Sequence, residues 1–133
     1  MSRFAPILGL VGGGMLLLSF VVHTVLGTRA MGEALAATNA PADLVQGLIA
    51  GWVFGGVAML VFGVLVVRLF LVRRRDPGVS AAPALLIGAA YVAFGGWALT
   101  MSHFDPFFTV FLVPGLLLVV AALLSGRPAP ARP

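Results

Sequence analysis

The sequence predicts an all-α membrane protein, a four-helix transmembrane bundle with both termini in the cytoplasm. Hydrophobic residues make up 61% of the 133 positions and charged residues only 9%, whereas soluble domains carry about 25% charged residues. The charges also fall between long apolar runs, and a run of about 20 apolar residues crosses the hydrocarbon core of a bilayer as a helix. A soluble fold of this size could not bury so much apolar surface.

Four apolar runs meet this length requirement. They extend from Phe4 to Leu26, Leu44 to Val72, Ala81 to Met101 and Pro106 to Leu124. We expect one transmembrane domain over residues 1–126. We expect a disordered tail over residues 127–133, because this proline-rich segment has no large apolar side chain to pack.

The connections between the runs carry local signals. The first run is longer than the apolar core of a signal peptide, so we expect it to be a retained helix. The second run is long enough that we expect it to tilt, or to leave the membrane as a helix before Arg73. The stretch MGEALAA after Arg29 predicts a short surface helix. Asp105 followed by Pro106 predicts an N-cap and the first residue of the fourth helix.

Arginine positions predict the orientation. The chain has eight arginines and no lysine, and basic residues favour the cytoplasmic side of a membrane. Four spans put all of the arginines except Arg29 on one side, and these seven are Arg3, Arg68, Arg73, Arg74, Arg75, Arg127 and Arg132. The arginine-only, alanine- and glycine-rich composition is typical of high-GC bacterial genes, so we expect a multi-pass protein of the bacterial inner membrane.

Glycines predict where the helices meet. In lipid, small residues let helix backbones approach closely enough for van der Waals packing. We expect eight glycines to serve this purpose: Gly9 and Gly13 in the first helix, Gly47, Gly51, Gly55 and Gly63 in the second, and Gly88 and Gly96 in the third. Pro114 and Gly115 interrupt the fourth run and indicate either a simple kink or a break of the kind that forms binding sites in transporters.

Two histidines are the candidate cofactor ligands. His23 lies in the stretch SFVVHTVLG near the outer end of the first helix, and His103 ends the third helix on the same side. We favour a neutral His23 that is hydrogen-bonded to a helix backbone or to a serine. Alternatively, both histidines could ligate haem, or they could hold a divalent metal together with Glu33, Asp43 or Asp105. A quinone headgroup site is a further alternative.

The remaining inventory argues against catalysis. The chain has no cysteine, which excludes thiol chemistry, and it has no carboxylate within a span to relay protons. It also lacks a hydrolytic constellation and a phosphate-binding glycine loop. We therefore expect no enzyme activity and no nucleic-acid partner. We expect an accessory or assembly subunit of a membrane complex, whose partners are the lipid bilayer and either other membrane subunits or further copies of itself. The alternative is a small membrane protein that binds haem, metal, quinone or a solute at its outer end.

The segment HTVLG, followed by an outer loop and a glycine-rich second helix, resembles a group of small bacterial four-helix inner-membrane proteins. This resemblance covers the first two helices. It implies the fold and no particular activity.

Overall fold

A computed structural model describes residues 4–126, and within that range the chain is helical with no strand. Its elements in chain order are α1 (Phe4–Val21), a π-helical segment (Val22–Gly27), α2 (Thr28–Ala36), α3 (Ala42–Arg75), α4 (Ala82–Met101), a 3-10 turn (Pro106–Phe108) and α5 (Thr109–Leu124). The expected tail at 127–133, and with it Arg127 and Arg132, lies outside the described residues, as does Arg3.

The described helices form four units that are long and apolar enough to cross a membrane. These units are Phe4–Ala36, Ala42–Arg75, Ala82–Met101 and Pro106–Leu124. The prediction of an all-helical chain with four helices of membrane-spanning length and composition is therefore confirmed.

The helices are arranged so that α1 lies between α3 and α5, and α4 packs on the other side of α5. Gly9 lies opposite Phe70 and Gly27 lies opposite Trp52, so α1 and α3 are antiparallel. α3 and α4 touch only sparsely. The order α3, α1, α5, α4 thus leaves a gap between the first and last helices of the series.

The two ends of the bundle differ in chemistry. We call the end with Arg73, Arg74, Arg75 and Ser125 the arginine end, and the opposite end, with His23, Trp52 and the α4–α5 loop, the histidine end. Arg73 is 1% exposed, and its Nη2 donates to the carbonyl of Ser125 at 3.2 Å. A cation is favourable beside the final carbonyls of a helix, so this contact holds the ends of α3 and α5 at one level.

The buried core is concentrated towards the arginine end. Phe70 and Leu118 are fully buried, and each packs against a glycine of α1. A Cβ on Gly9 would overlap the Phe70 ring, and a Cβ on Gly12 would lie 2.8 Å from Leu118 Cδ2. The absent side chains of α1 therefore make room for large side chains of α3 and α5.

The buried positions of α3 alternate in steps of three and four residues, and they are Gly56, Met59, Gly63, Val66, Phe70 and Arg73. Alternating steps of three and four correspond to a period of 3.5 residues, that of left-handed helix packing. Successive residues spaced four apart are rotated by about 40° around the helix axis. Relative to Gly63, Gly51 is therefore rotated by about 120° and Gly47 by about 160°. Gly47 and Gly51 therefore lie outside the face of α3 that packs on α1.

The expected packing glycines consequently fall into two groups. A Cβ on Gly9, Gly13, Gly63 or Gly88 would crowd a neighbouring helix, and one on Gly55 would meet His23 Nε2 at 3.4 Å. At Gly47, Gly51 and Gly96 an added Cβ would meet nothing within 4 Å among residues 4–126, so a packing role for these three stays a prediction. In α4 the contact belongs to Gly95, whose Cβ would lie 2.9 Å from Leu112 Cγ.

Three local predictions concern the MGEALAA stretch, the length of the second unit and the start of the fourth. MGEALAA is helical, but α2 continues α1 through the π-helical segment and is not a separate surface helix. Arg73 is level with Ser125, so the length by which α3 exceeds α5 lies at the histidine end; a tilt of this run, or its exit from the membrane before Arg73, stays a prediction. The Asp105 carboxylate accepts from the backbone N–H of Phe107 at 2.9 Å, as an Asp-Pro helix start predicts, and α5 then continues unbroken through Pro114.

Candidate functional site

His23 and Trp52 form the principal polar contact between α1 and α3. His23 Nε2 lies 2.9 Å from the carbonyl oxygen of Trp52, and Trp52 Nε1 donates to the carbonyl of His23 at 3.0 Å. Their rings stack with centroids 4.1 Å apart and planes inclined by 10°. Each residue thus uses its ring to bond the backbone of the other, so the two helices are joined by two hydrogen bonds and one stacked pair.

This geometry identifies which nitrogen of the imidazole carries a proton. A backbone carbonyl can only accept a hydrogen bond, so His23 Nε2 carries the proton. In the neutral ring Nδ1 is then the unprotonated nitrogen and can accept a hydrogen bond. The structure therefore shows His23 bonded to a helix backbone, and Nε2 is the nitrogen that this bond occupies.

Glycines and the π-helical segment create the space for this pair. A Cβ on Gly27 would lie 2.8 Å from Trp52 Cζ2, and one on Gly56 would overlap Thr24 Oγ1. The backbones of α3 and the π-helical segment can approach because neither position carries a side chain. Segments of π-helix occur frequently at functional sites, and this one spans residues Val22–Gly27 and includes His23.

A cavity of about 290 Å³ opens between α3 and α4 beside the His23–Trp52 pair. α3 and α4 touch only sparsely, and the rings of Phe62 and Tyr91 meet edge-on between them at 6.4 Å. Its lining is almost wholly apolar. The residues that line it are His23, Gly55, Met59, Ala90, Tyr91, Phe94 and Phe111.

Aromatic side chains form one side of this cavity. Phe94 of α4 and Phe111 of α5 are in edge-to-face contact at 4.9 Å, and Tyr91 lies 6.2 Å from Phe111. Edge-to-face pairs at such distances are favourable beyond their burial of apolar area. The three rings therefore stabilise one another and give the cavity a rigid aromatic surface.

His103 lies in the loop after α4 and is exposed. His103 and Phe104 both have positive φ, at 54° and 66°, a strained conformation for residues other than glycine. The backbone N–H of Phe104 donates to the carbonyl of Leu99 at 2.7 Å, which closes the end of α4. No hydrogen bond or ring contact joins His103 to His23 in the described part of the chain.

The carboxylates expected near the histidines have other roles in the structure. Glu33 forms a surface ion pair with Arg29 at 2.9 Å, Asp105 caps the start of the 3-10 turn, and Asp43 lies in the first turn of α3. Among residues 4–126, no group of three or more metal-ligating side chains is placed to hold an ion. Haem and metal ligation by His23 and His103 stays a sequence-based hypothesis.

Sequence reasoning missed most of this site. It singled out His23 without its partner Trp52, and it did not anticipate the cluster of Tyr91, Phe94 and Phe111. It also missed Gly27 and Gly56, which allow the helices to approach.

Comparison with known proteins gives no match. No protein-family model matches the chain, and neither a curated protein nor a solved structure shows significant similarity to it.

Proposed function

We propose that this protein is an accessory or assembly subunit of a larger membrane complex in the bacterial inner membrane. It contributes helix contacts and no catalysis. The observation that supports this proposal is a pair of helices, α2 and the first part of α3, that extends past α4 and α5 at the histidine end.

The lengths of the helices give the extent of this projection. α3 has 34 residues and α4 has 20, which corresponds to lengths of about 51 Å and about 30 Å at a rise of 1.5 Å per residue. Because Arg73 holds the end of α3 level with the end of α5, nearly all of the excess lies at the histidine end. There α3 extends about 15–20 Å past α4 and α5, and α2 packs alongside it.

The projecting part of α3 has an apolar, uncovered surface. Leu44 is 53% exposed and Leu48 is 40% exposed. Gly47 and Gly51 have open space where a Cβ would be. A hydrocarbon core of about 30 Å matches α4 and α5, so this surface emerges beyond it, where exposed apolar area costs about 25 cal/mol per Å².

The partner that fits this surface is another membrane protein with an apolar helix that also rises above the bilayer. Gly47 and Gly51 lie four residues apart, and such a pair lets a second helix come close. The arginine end, by the positive-inside rule, lies in the cytoplasm, so the projecting helices and their partner meet on the outer side of the membrane.

Photocrosslinking in cell membranes tests this proposal. A photoreactive amino acid is placed at Gly47 or Gly51, and the matched control is Gly14 of α1, which also has open space around its Cβ position. We expect both α3 positions, but not Gly14, to capture the same second membrane protein. That protein should co-purify stoichiometrically in mild detergent and be lost with Gly51→Leu but not with Gly14→Leu. Adducts to lipid alone, or adducts of twice the mass of the chain, would overturn it.

A further inference from the structure

We infer that the cavity between α3 and α4 binds a single flat ring with oxygen substituents, a quinone or quinol that reaches it from the bilayer. This inference does not depend on the proposed partner, because the cavity lies below the projecting helices. It concerns binding alone.

The size and lining of the cavity set the class of ligand. A volume of about 290 Å³ is at the lower end of the range for small-molecule sites, roughly 300–1,000 Å³. It accommodates one ring with a short tail. The cavity lies between two helices of membrane-spanning length and is lined mainly by carbon, so its ligand is a compound that dissolves in lipid.

The aromatic surface favours a ring over an acyl chain. Phe94 and Phe111 meet edge-to-face, and a third ring inserted beside them gains the same offset or edge-on contacts. Met59 lies in the lining, and a thioether makes favourable contacts with ring edges. A saturated chain gains only the burial of its apolar area.

Polar groups at the cavity account for the oxygen substituents. His23 lines the cavity and its Nε2 already donates to Trp52, so in the proposed complex Nδ1 is the nitrogen that accepts a hydrogen bond from a ligand hydroxyl. Tyr91 also lines the cavity, and its hydroxyl can donate to a carbonyl. One acceptor and one donor suit a ring that carries hydroxyl or carbonyl groups, and a purely hydrocarbon ring would use neither.

Tryptophan fluorescence of the purified full chain tests this inference. The chain has two tryptophans, so Trp97→Phe leaves Trp52, which is stacked on the cavity residue His23. We expect ubiquinone-1 to quench Trp52 saturably with one site per chain. Ala90→Phe fills the cavity, and Ala89→Phe is the matched control, since Ala89 is exposed and outside the lining. We expect binding at least tenfold weaker in Ala90→Phe and unchanged in Ala89→Phe.

Two further ligands, ubiquinone-0 and palmitate, separate the alternatives. Ubiquinone-0, which has the ring without the prenyl tail, reports whether the ring alone suffices. Tighter binding of ubiquinone-1 than of ubiquinone-0 indicates a quinone with a lipid tail, which comes from the bilayer. Equal or weaker binding of ubiquinone-1 would overturn the inference that the ligand comes from the bilayer. Palmitate should not displace either ring. Displacement by palmitate, or quenching that is unsaturable and equal in the two variants, would overturn the inference. If Ala90→Phe does not fold, Ala90→Leu and labelling of residues 90–94 by an azidoquinone give the same decision.

Discussion

His23 and Trp52 bond each other's backbone reciprocally, with Nε2 of the histidine 2.9 Å from the carbonyl of Trp52 and Nε1 of the tryptophan 3.0 Å from the carbonyl of His23. This relationship joins α1 to α3 at the level where the core gives way to the open cavity. Each bond runs from one side chain to the backbone of the other residue, and the ring stack joins the two side chains. The pair therefore sets the spacing of α1 and α3 at the histidine end.

Replacement of His23 tests the strength of this pair. Leucine removes both the donor and the ring, so His23→Leu should lower the free energy of unfolding by about 0.6 kcal/mol and at most about 1.7 kcal/mol, the range for hydrogen bonds between membrane helices. His23→Gln retains a donor and should cost less. Unfolding by SDS titration from detergent micelles measures both changes.

A double-mutant cycle checks that the effect belongs to the pair. Trp52→Leu removes both the Nε1 donor and the ring. The two hydrogen bonds end on backbone carbonyls, which side-chain substitutions leave in place, so the ring stack is the interaction that the two side chains share. The double variant His23→Leu/Trp52→Leu should therefore cost less than the sum of the two single variants. Strictly additive losses would show that the two residues act independently.

Gly88 and Gly96 of α4 are a matched pair for testing helix contact. A Cβ on Gly88 would lie 2.8 Å from the carbonyl oxygen of Gly115, a backbone atom that cannot rotate away. Gly88→Ala should therefore destabilise the fold by about 1–3 kcal/mol, as overpacking does. Gly96 has open space, so Gly96→Ala should be neutral or should stabilise α4 by up to about 1 kcal/mol. Equal effects of the two substitutions would contradict the α4–α5 contact described here.

The sequence predicts the four helices well because apolar length and charge placement are local properties. It does not predict which glycines pack, because that depends on the period of the helix contact. Counted from Gly63 and Gly88, two steps of four reach Gly55 in α3 and Gly96 in α4, whereas two steps that average 3.5 residues reach Gly56 and Gly95. Until that register is known, His23 cannot be placed opposite Trp52 either.

The histidine end was harder to predict than the arginine end for a related reason. The sequence shows that Arg73 is charged and lies at the end of an apolar run. Its burial against Ser125, however, depends on two helices that end at the same level. The cavity lies between α3 and α4, which touch only sparsely. Sparse contact is a property of helix packing and has no local signature in residues such as Ala90 or Phe111.

Arg73 should contribute to stability in a way that its neighbour Arg74 does not. Arg73 is buried and donates to the last turn of α5, while Arg74 is exposed. Arg73→Leu removes a charged hydrogen bond and leaves the Ser125 carbonyl without this donor, so it should cost about 1.5–3 kcal/mol. Arg74→Leu should change stability little. SDS titration measures both variants, and similar losses would mean that general charge, not the contact with Ser125, is responsible.

The orientation predicted from the arginines can be tested with a reporter enzyme that is active only outside the cytoplasm. If the four apolar runs all cross the membrane, seven of the eight arginines in the sequence belong to one side, and basic residues favour the cytoplasmic side. A reporter fused after Arg132 should therefore be inactive, and one inserted near Asn39, between α2 and α3, should be active. Both fusions must be present at equal levels by immunoblot for the comparison to hold. The reverse pattern would place the arginine end outside and turn the projecting helices, and the partner proposed for them, towards the cytoplasm.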